Sequence, residues 1–126
     1  YPDVGIALDV TIAGDVPGVK EFEAPIKISR GPSVTVADYG LITHPKVLRL
    51  LIDAAEATKI PYQLETGLPG STDAARISLS REGVPSGVIS VPTRYIHNPV
   101  SLLNLEDAEN AAKLTVAAIR KHPKYF

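Results

Sequence analysis

The sequence predicts an α/β domain, a mixed and largely parallel sheet flanked by helices. Three observations carry that expectation. Short β-branched and apolar runs of strand length alternate with stretches whose apolar residues recur at helical spacing. The runs "VGIALDV" (4–10) and "SGVISV" (86–91) are nearly continuous in apolar or small residues, as suits strands covered on both faces. Glycine and proline mark the junctions between runs. A chain of 126 residues with 44% apolar content is enough for one domain with a real core.

Residues 4–10 are too short for a helix and too rich in apolar side chains for a loop, so they form the first buried strand. Segment 23–38 holds two alternating runs, Ile26/Ile28 and Val34/Val36, parted by Gly31-Pro32; these are expected as exposed or edge strands around a turn. A helix is expected from Thr43, its N-cap, with Pro45 tolerated in the first turn and Val47, Leu48, Leu51 and Ala55 buried. "PYQLET" (61–66) is the next strand. "GLPGST" then turns into a short helix capped by Thr72 and closed by Gly83. After strand 86–91, the last helix runs from Leu105 to Lys121, with Ala108, Ala111, Ala112, Thr115, Val116 and Ile119 on one face. Its cationic end complements the helix dipole, which explains "RKHPKYF" without a binding patch.

Composition removes several function classes. A net charge of −1 gives no field of one sign, so neither a nucleic acid nor a membrane surface is expected as partner. Without cysteine there is no disulfide framework and no thiolate metal site, and any metal falls to His and carboxylates. No apolar run approaches the roughly 20 residues that cross a bilayer, and no signal peptide is visible, so a soluble cytoplasmic protein is expected. Methionine is absent even at position 1 and the first strand starts at once, which points to part of a longer polypeptide.

In open α/β sheets the chemistry gathers at the carboxyl ends of strands. Asp9, Asp15 and Asp38 fall there, "PYQLE" leads to Asp73, and "GVISVP" leads to Arg94, Tyr95 and His97. Carboxylates with an imidazole suit zinc, cobalt or manganese. Asp9 carries the most weight, because an aspartate inside an apolar strand is costly to bury unless paired or coordinated. Capping of neighbouring amides would also explain it. Asp15 and Asp38 fit turn formers, and Asp73 fits dipole compensation at a helix start. His97 stands evenly between surface residue and ligand. His44 belongs to a helix start and His122 to the tail. "GLPGST" lacks the Walker lysine and is not GxGxxG, so a nucleotide site is not expected.

"ALDVTIAGDVPG" (7–18), "IPYQLE" (60–65) and "STDAARISLSREGVPSGVISVPTRYIH" (71–97), in this order and spacing, resemble the C-terminal part of the glutamyl/leucyl-type metalloaminopeptidases. That family forms tetrahedral (TET) dodecamers and is sometimes named deblocking aminopeptidase or endoglucanase. The resemblance implies a zinc-peptidase-like catalytic domain of which residues 1–126 form the C-terminal part. The N-terminal part and the inserted dimerisation domain fall outside this sequence. It also implies two divalent metal ions per site, zinc or cobalt, that activate a water for removal of N-terminal residues from peptides. Asp9 of the "DVT" motif would bind one ion and His97 of "RYIH" the other. Arg94, Tyr95, Gly70, Thr72 and Asp73 are weaker candidates for contacts with substrate or with the ligands.

The family's second histidine, bridging aspartate and Glu-Glu pair, which includes the general base, match nothing here, so the chain is expected to be catalytically incomplete alone. Peptide substrates, the missing N-terminal segment and further copies in a homo-oligomer are the partners implied. Leu68-Pro69 and Ser71 depart from the family's glycine-rich loop, and Asn98-Pro99 stands where a serine is expected, so the loop after His97 is expected to run differently. Two other classes stand beside the enzyme: an inactive assembly or scaffold subunit, and a metal-free small-molecule binding module.

Overall fold

A computed structural model describes residues 2–126, Leu68 by its backbone alone. The elements in chain order are β1 (Gly5–Ile12), β2 (Ser33–Asp38), α1 (Pro45–Thr58), β3 (Gln63–Leu68), α2 (Asp73–Ser78), β4 (Ser86–Arg94), β5 (Leu102–Leu103) and α3 (Leu105–Lys121), followed by a 3-10 turn, His122–Lys124. The sheet order is β1-β4-β2-β3, with β5 attached to β4. β1 and β4 run parallel from Gly5↔Ser86 to Ile12↔Thr93. β2 and β3 are also parallel, joined by the α1 crossover that parallel pairing demands. The two parallel pairs run in opposite directions and meet only at Ser33↔Ser90 and Val34↔Ile89. The sheet is therefore mixed and mostly parallel, as the alternation of elements predicts.

Helices α1 and α3 cover one face, where Val47, Leu50, Leu51, Ala54 and Ala55 pack with Leu114, Ala118, Val34 and Ile89. Burying each of the larger side chains is worth about 1.5–3 kcal/mol. The short α2 covers the other face through Ala74 and Ala75 against Ala7, Leu41 and Val88. β1 is an outer strand, and among the described residues its far edge pairs with no strand. Leu8 and Val10 there are 60% and 43% exposed.

Several expectations are corrected. The run at Ile26 and Ile28 is not a strand: Ile26 is buried from within a loop, where its carbonyl accepts the Gly14 N–H at 2.8 Å. β2 is interior rather than exposed, because β4 and β3 flank it. The N-cap of α1 is His44, whose Nδ1 accepts the Lys46 N–H, while the buried Thr43 hydroxyl donates to the Thr35 carbonyl instead. In α1, Leu50 and Ala54 join the buried stripe and Leu48 is only partly covered. The face of α3 expected from its alanines is rotated, and Asp107, Asn110, Ala111, Leu114 and Ala118 are buried instead. α2 ends at Ser78, and turns carry the chain on to Gly83.

Asp107 explains the rotation. Its carboxylate accepts the N–H groups of Ser29 at 2.7 Å and Gly31 at 2.9 Å, and both donors lie in a turn with positive φ. Asn104 caps α3 through the Glu106 N–H and reaches the Ser29 hydroxyl. A buried carboxylate facing two otherwise orphaned amides is worth more than another alanine in the core. Asp107→Ala should therefore lower the unfolding free energy by about 2–4 kcal/mol, read as a shift in the urea midpoint at unchanged slope; a shift below one tenth of that would refute the anchor.

Candidate functional site

Asp9, Thr35, Asp38, Glu65, Gly70, Thr72, Ser90 and His97 line one cleft of about 410 Å³. The cleft lies on the α2 side of the sheet, because Asp9 shares the pleat of β1 with the α2-facing Ala7. Asp9 stands opposite Ser90 of β4. It is exposed, contrary to the expectation of a buried charge: on an outer strand beside an open cleft its carboxylate keeps its water. Its Oδ1 accepts the N–H of Val10 at 2.7 Å, which leaves the carboxylate's other oxygen outside that bond.

His97 reaches the same cleft from the turn that follows β4. That turn is unusual backbone: Tyr95 and His97 have φ of 63° and 60°. Left-handed positions cost non-glycine residues about 1–3 kcal/mol each and persist only when their surroundings hold them. Here the Ser101 hydroxyl donates to the Tyr95 carbonyl at 3.0 Å and Asn98 Nδ2 donates to the Ile96 carbonyl at 2.9 Å. β5 adds backbone pairing of Arg94 with Leu102 and of Thr93 with Leu103. Asn98, where a serine was expected, is thus part of the bracing. Tyr95 itself is 55% exposed.

Arg94, the last residue of β4, forms a two-pronged ion pair with Asp15: Nε to Oδ1 at 3.1 Å and Nη2 to Oδ2 at 2.8 Å. Asp15 is therefore more than a turn former. The preceding Gly14 lies so close to the Ala24 carbonyl that a Cβ there would sit 1.9 Å from its oxygen, so the "AGD" stretch needs glycine to seat Asp15. The Arg94 hydrogen bonds hold the Asp15 carboxyl below its ordinary range; partial burial opposes this and the guanidinium charge adds to it.

Other candidates divide. Asp38 is the turn former expected, with Oδ1 accepting from the N–H groups of Gly40 and Leu41, both at 2.8 Å. Thr72 caps α2 without a side-chain bond, and its Oγ1 is buried with no partner among the described residues. Asp73 sits in the first turn of α2, where its charge suits the dipole. Gly70 has φ of 130°, and its carbonyl accepts the Tyr39 N–H. His122 stacks on Phe126, away from the cleft.

Glu65 is the residue that sequence reasoning passed over. It is 5% exposed, and its carboxylate accepts the hydroxyls of Thr11 at 2.6 Å and Ser33 at 2.7 Å. A glutamate on an otherwise half-apolar strand was the available signal. What hid it is that its partners lie 54 and 32 residues away in sequence.

Among the described residues no three His, Cys, Asp or Glu side chains converge as a full metal-binding set. Asp9 and His97 are two hard or borderline donors on one cleft. Among the described residues no helix is long and apolar enough to cross a membrane.

Comparison with known proteins gives the same direction. The family model described as M42 glutamyl aminopeptidase matches residues 1–114. A protein of Acetivibrio thermocellus that bears the name of an aminopeptidase is 45% identical over 118 residues, covering 94% of this chain and 35% of that protein. The solved structure of an aminopeptidase from the archaeon Desulfurococcus kamchatkensis matches with a TM-score of 0.89 at 48% identity, over 92% of this chain and 33% of that one. A TET aminopeptidase of a marine-sediment Thaumarchaeota archaeon matches with a TM-score of 0.91 at 41% identity, over 99% of this chain and 36% of that one. The chain thus spans about a third of the length of these relatives.

The ion pair sets a pH dependence. A depressed carboxyl pKa contributes stability above its unfolded value of 3.8 and loses it as pH falls through the folded value. Urea unfolding should show wild type exceeding Asp15→Asn near neutrality, with the gap closing as pH drops below about 4; parallel curves down to acid would contradict the assignment.

Proposed function

Since the chain belongs to the M42 glutamyl aminopeptidase family, we propose that it is the C-terminal portion of a metal-dependent aminopeptidase that removes N-terminal residues from peptides. The observation that carries this is the family match over residues 1–114 together with one cleft that holds both Asp9 and His97. In this reading Asp9 is a ligand of one divalent ion and His97 of a second, zinc or cobalt. The donor set suits such ions, because a carboxylate and a neutral imidazole both accept hard or borderline metals. Bound there, the ions would supply Lewis acidity toward a peptide carbonyl and lower the pKa of water.

The chain's own residues set the frame for that chemistry. Asp9 supplies a carboxylate oxygen from a strand fixed by eight register pairs with β4. His97 supplies a ring nitrogen from a braced turn, with Ile96 beside it on the cleft wall. The loop of Gly70, Ser71 and Thr72 borders the same space and would meet the substrate's first residue. In this reading the general base and the remaining ligands come from the rest of the polypeptide, since Asp38 and Glu65 on the same cleft are engaged in turn and hydroxyl hydrogen bonds and no three donors converge among the described residues. Likeness to TET aminopeptidases, one of them solved as a dodecamer, supports a homo-oligomer, and in this reading the protein works in the cytoplasm.

Likeness to a structure solved as a dodecamer also fits a second reading, an inactive assembly subunit of the same family. The whole polypeptide that carries this segment separates the two. On an aminoacyl anilide, Asp9→Ala and His97→Ala should each lower hydrolysis by more than about 100-fold, with one of two bound ions lost in metal analysis. Hydrolysis retained in either variant would remove that residue from the ligand set. A metal-free wild type without activity would leave the assembly reading.

A further inference from the structure

We propose that the Asp15–Arg94 ion pair is the positioning element for His97: it locks the end of β4 to the loop after β1 and thereby keeps the 95–97 turn left-handed. The inference rests on the reading of His97 as a metal ligand and adds the device that aims it.

Backbone pairing between β1 and β4 ends at Ile12↔Thr93, with one further bond from the Ala13 N–H to the Thr93 carbonyl. Arg94 is the next residue, and its side chain takes over where the ladder stops, gripping Asp15 through two nearly parallel hydrogen bonds at 3.1 and 2.8 Å. A planar guanidinium on a carboxylate fixes direction as well as distance, which a point charge does not. Asp15 is itself seated, because Gly14 packs against Ala24 and donates its N–H to the Ile26 carbonyl. Arg94 is thus held on both sides, by Asp15 through its side chain and by Leu102 of β5 through its backbone. The first left-handed residue, Tyr95, follows it directly, and the second, His97, comes two positions later.

The placement has a functional logic. Asp15 follows the strand that carries Asp9, and Arg94 ends the strand that leads to His97. One ion pair therefore ties together the two elements that hold the cleft's carboxylate and its imidazole. With Nε and Nη2 engaged by Asp15, Arg94 acts through the turn rather than on the substrate.

The test uses the whole polypeptide with Arg94→Met, Arg94→Lys and Asp15→Asn. A crystal structure of Arg94→Met reads the turn directly, with or without metal. Departure of His97 from positive φ supports the proposal, and an unchanged turn overturns it. In metal titration against a competing chelator, Arg94→Met and Asp15→Asn should weaken one of two ions by at least about tenfold and leave the other at wild-type affinity. Arg94→Lys, which keeps charge without the fork, should fall between. Wild-type affinity for both ions in Arg94→Met would reduce the pair to a stabilising contact. On an aminoacyl anilide the loss should appear in kcat, with KM nearly constant; a rise in KM alone would put Arg94 on the substrate and overturn the positioning role. If wild type binds no metal, the ligand reading fails, while the crystallographic result still decides whether the pair shapes the turn.

Discussion

The cleft depends on one buried carboxylate. Glu65 belongs to β3 and Thr11 to β1, the two outer strands of the four-strand path. In a flat sheet those strands would lie about 14 Å apart, three inter-strand spacings. A hydrogen bond between their side chains therefore requires the sheet to fold over on the α2 side. The seam between the two parallel pairs permits this, since β2 and β4 pair at only two register positions. Taking a carboxylate out of water costs several kcal/mol, and hydrogen bonds to a charged group return about 1.5–3 kcal/mol each. Thr11 and Ser33 thus offset the cost only as a pair. The concave face that results is where Asp9 and His97 share a wall.

Periodicity revealed the elements that pack by apolar contact. α3 was legible to its last residue, and β1, β3 and β4 within a few positions, because each is bounded by glycine, proline or a polar cap. What escaped was decided by polar contacts between distant segments. Ile26 and Ile28 alternate like a strand, yet the Gln63 side chain satisfies this backbone, accepting the Lys27 N–H and donating to the Lys27 carbonyl. The face of α3 was misplaced because Asp107 and Asn110 occupy buried positions that a hydrophobic count assigns to solvent.

The site was legible in a different measure. Residue type pointed to Asp9, and the family resemblance of "RYIH" pointed to His97; the fold brings both to one cleft, but Asp9 is exposed beside it rather than buried. Asp15 looked like a local turn residue because its partner, Arg94, lies 79 positions away. Glu65 carried no motif of its own. Pairings of this range are fixed by sheet order, and the joining of β1 to β4 across most of the chain cannot be read from a local window.

The outer edge of β1, unpaired among the described residues, bears on how the chain meets other chains. Alternate residues of this eight-residue strand turn their backbone donors and acceptors away from β4, with Leu8 and Val10 exposed beside them, and so form a template for an extended chain. Nothing along that strand from Gly5 to Ile12 acts as a gatekeeper except Asp9: there is no lysine, proline or bulge. The carboxylate that suits the cleft is also the one charge within β1, the kind of residue that discourages edge-to-edge pairing. An alanine at that position would disarm both at once.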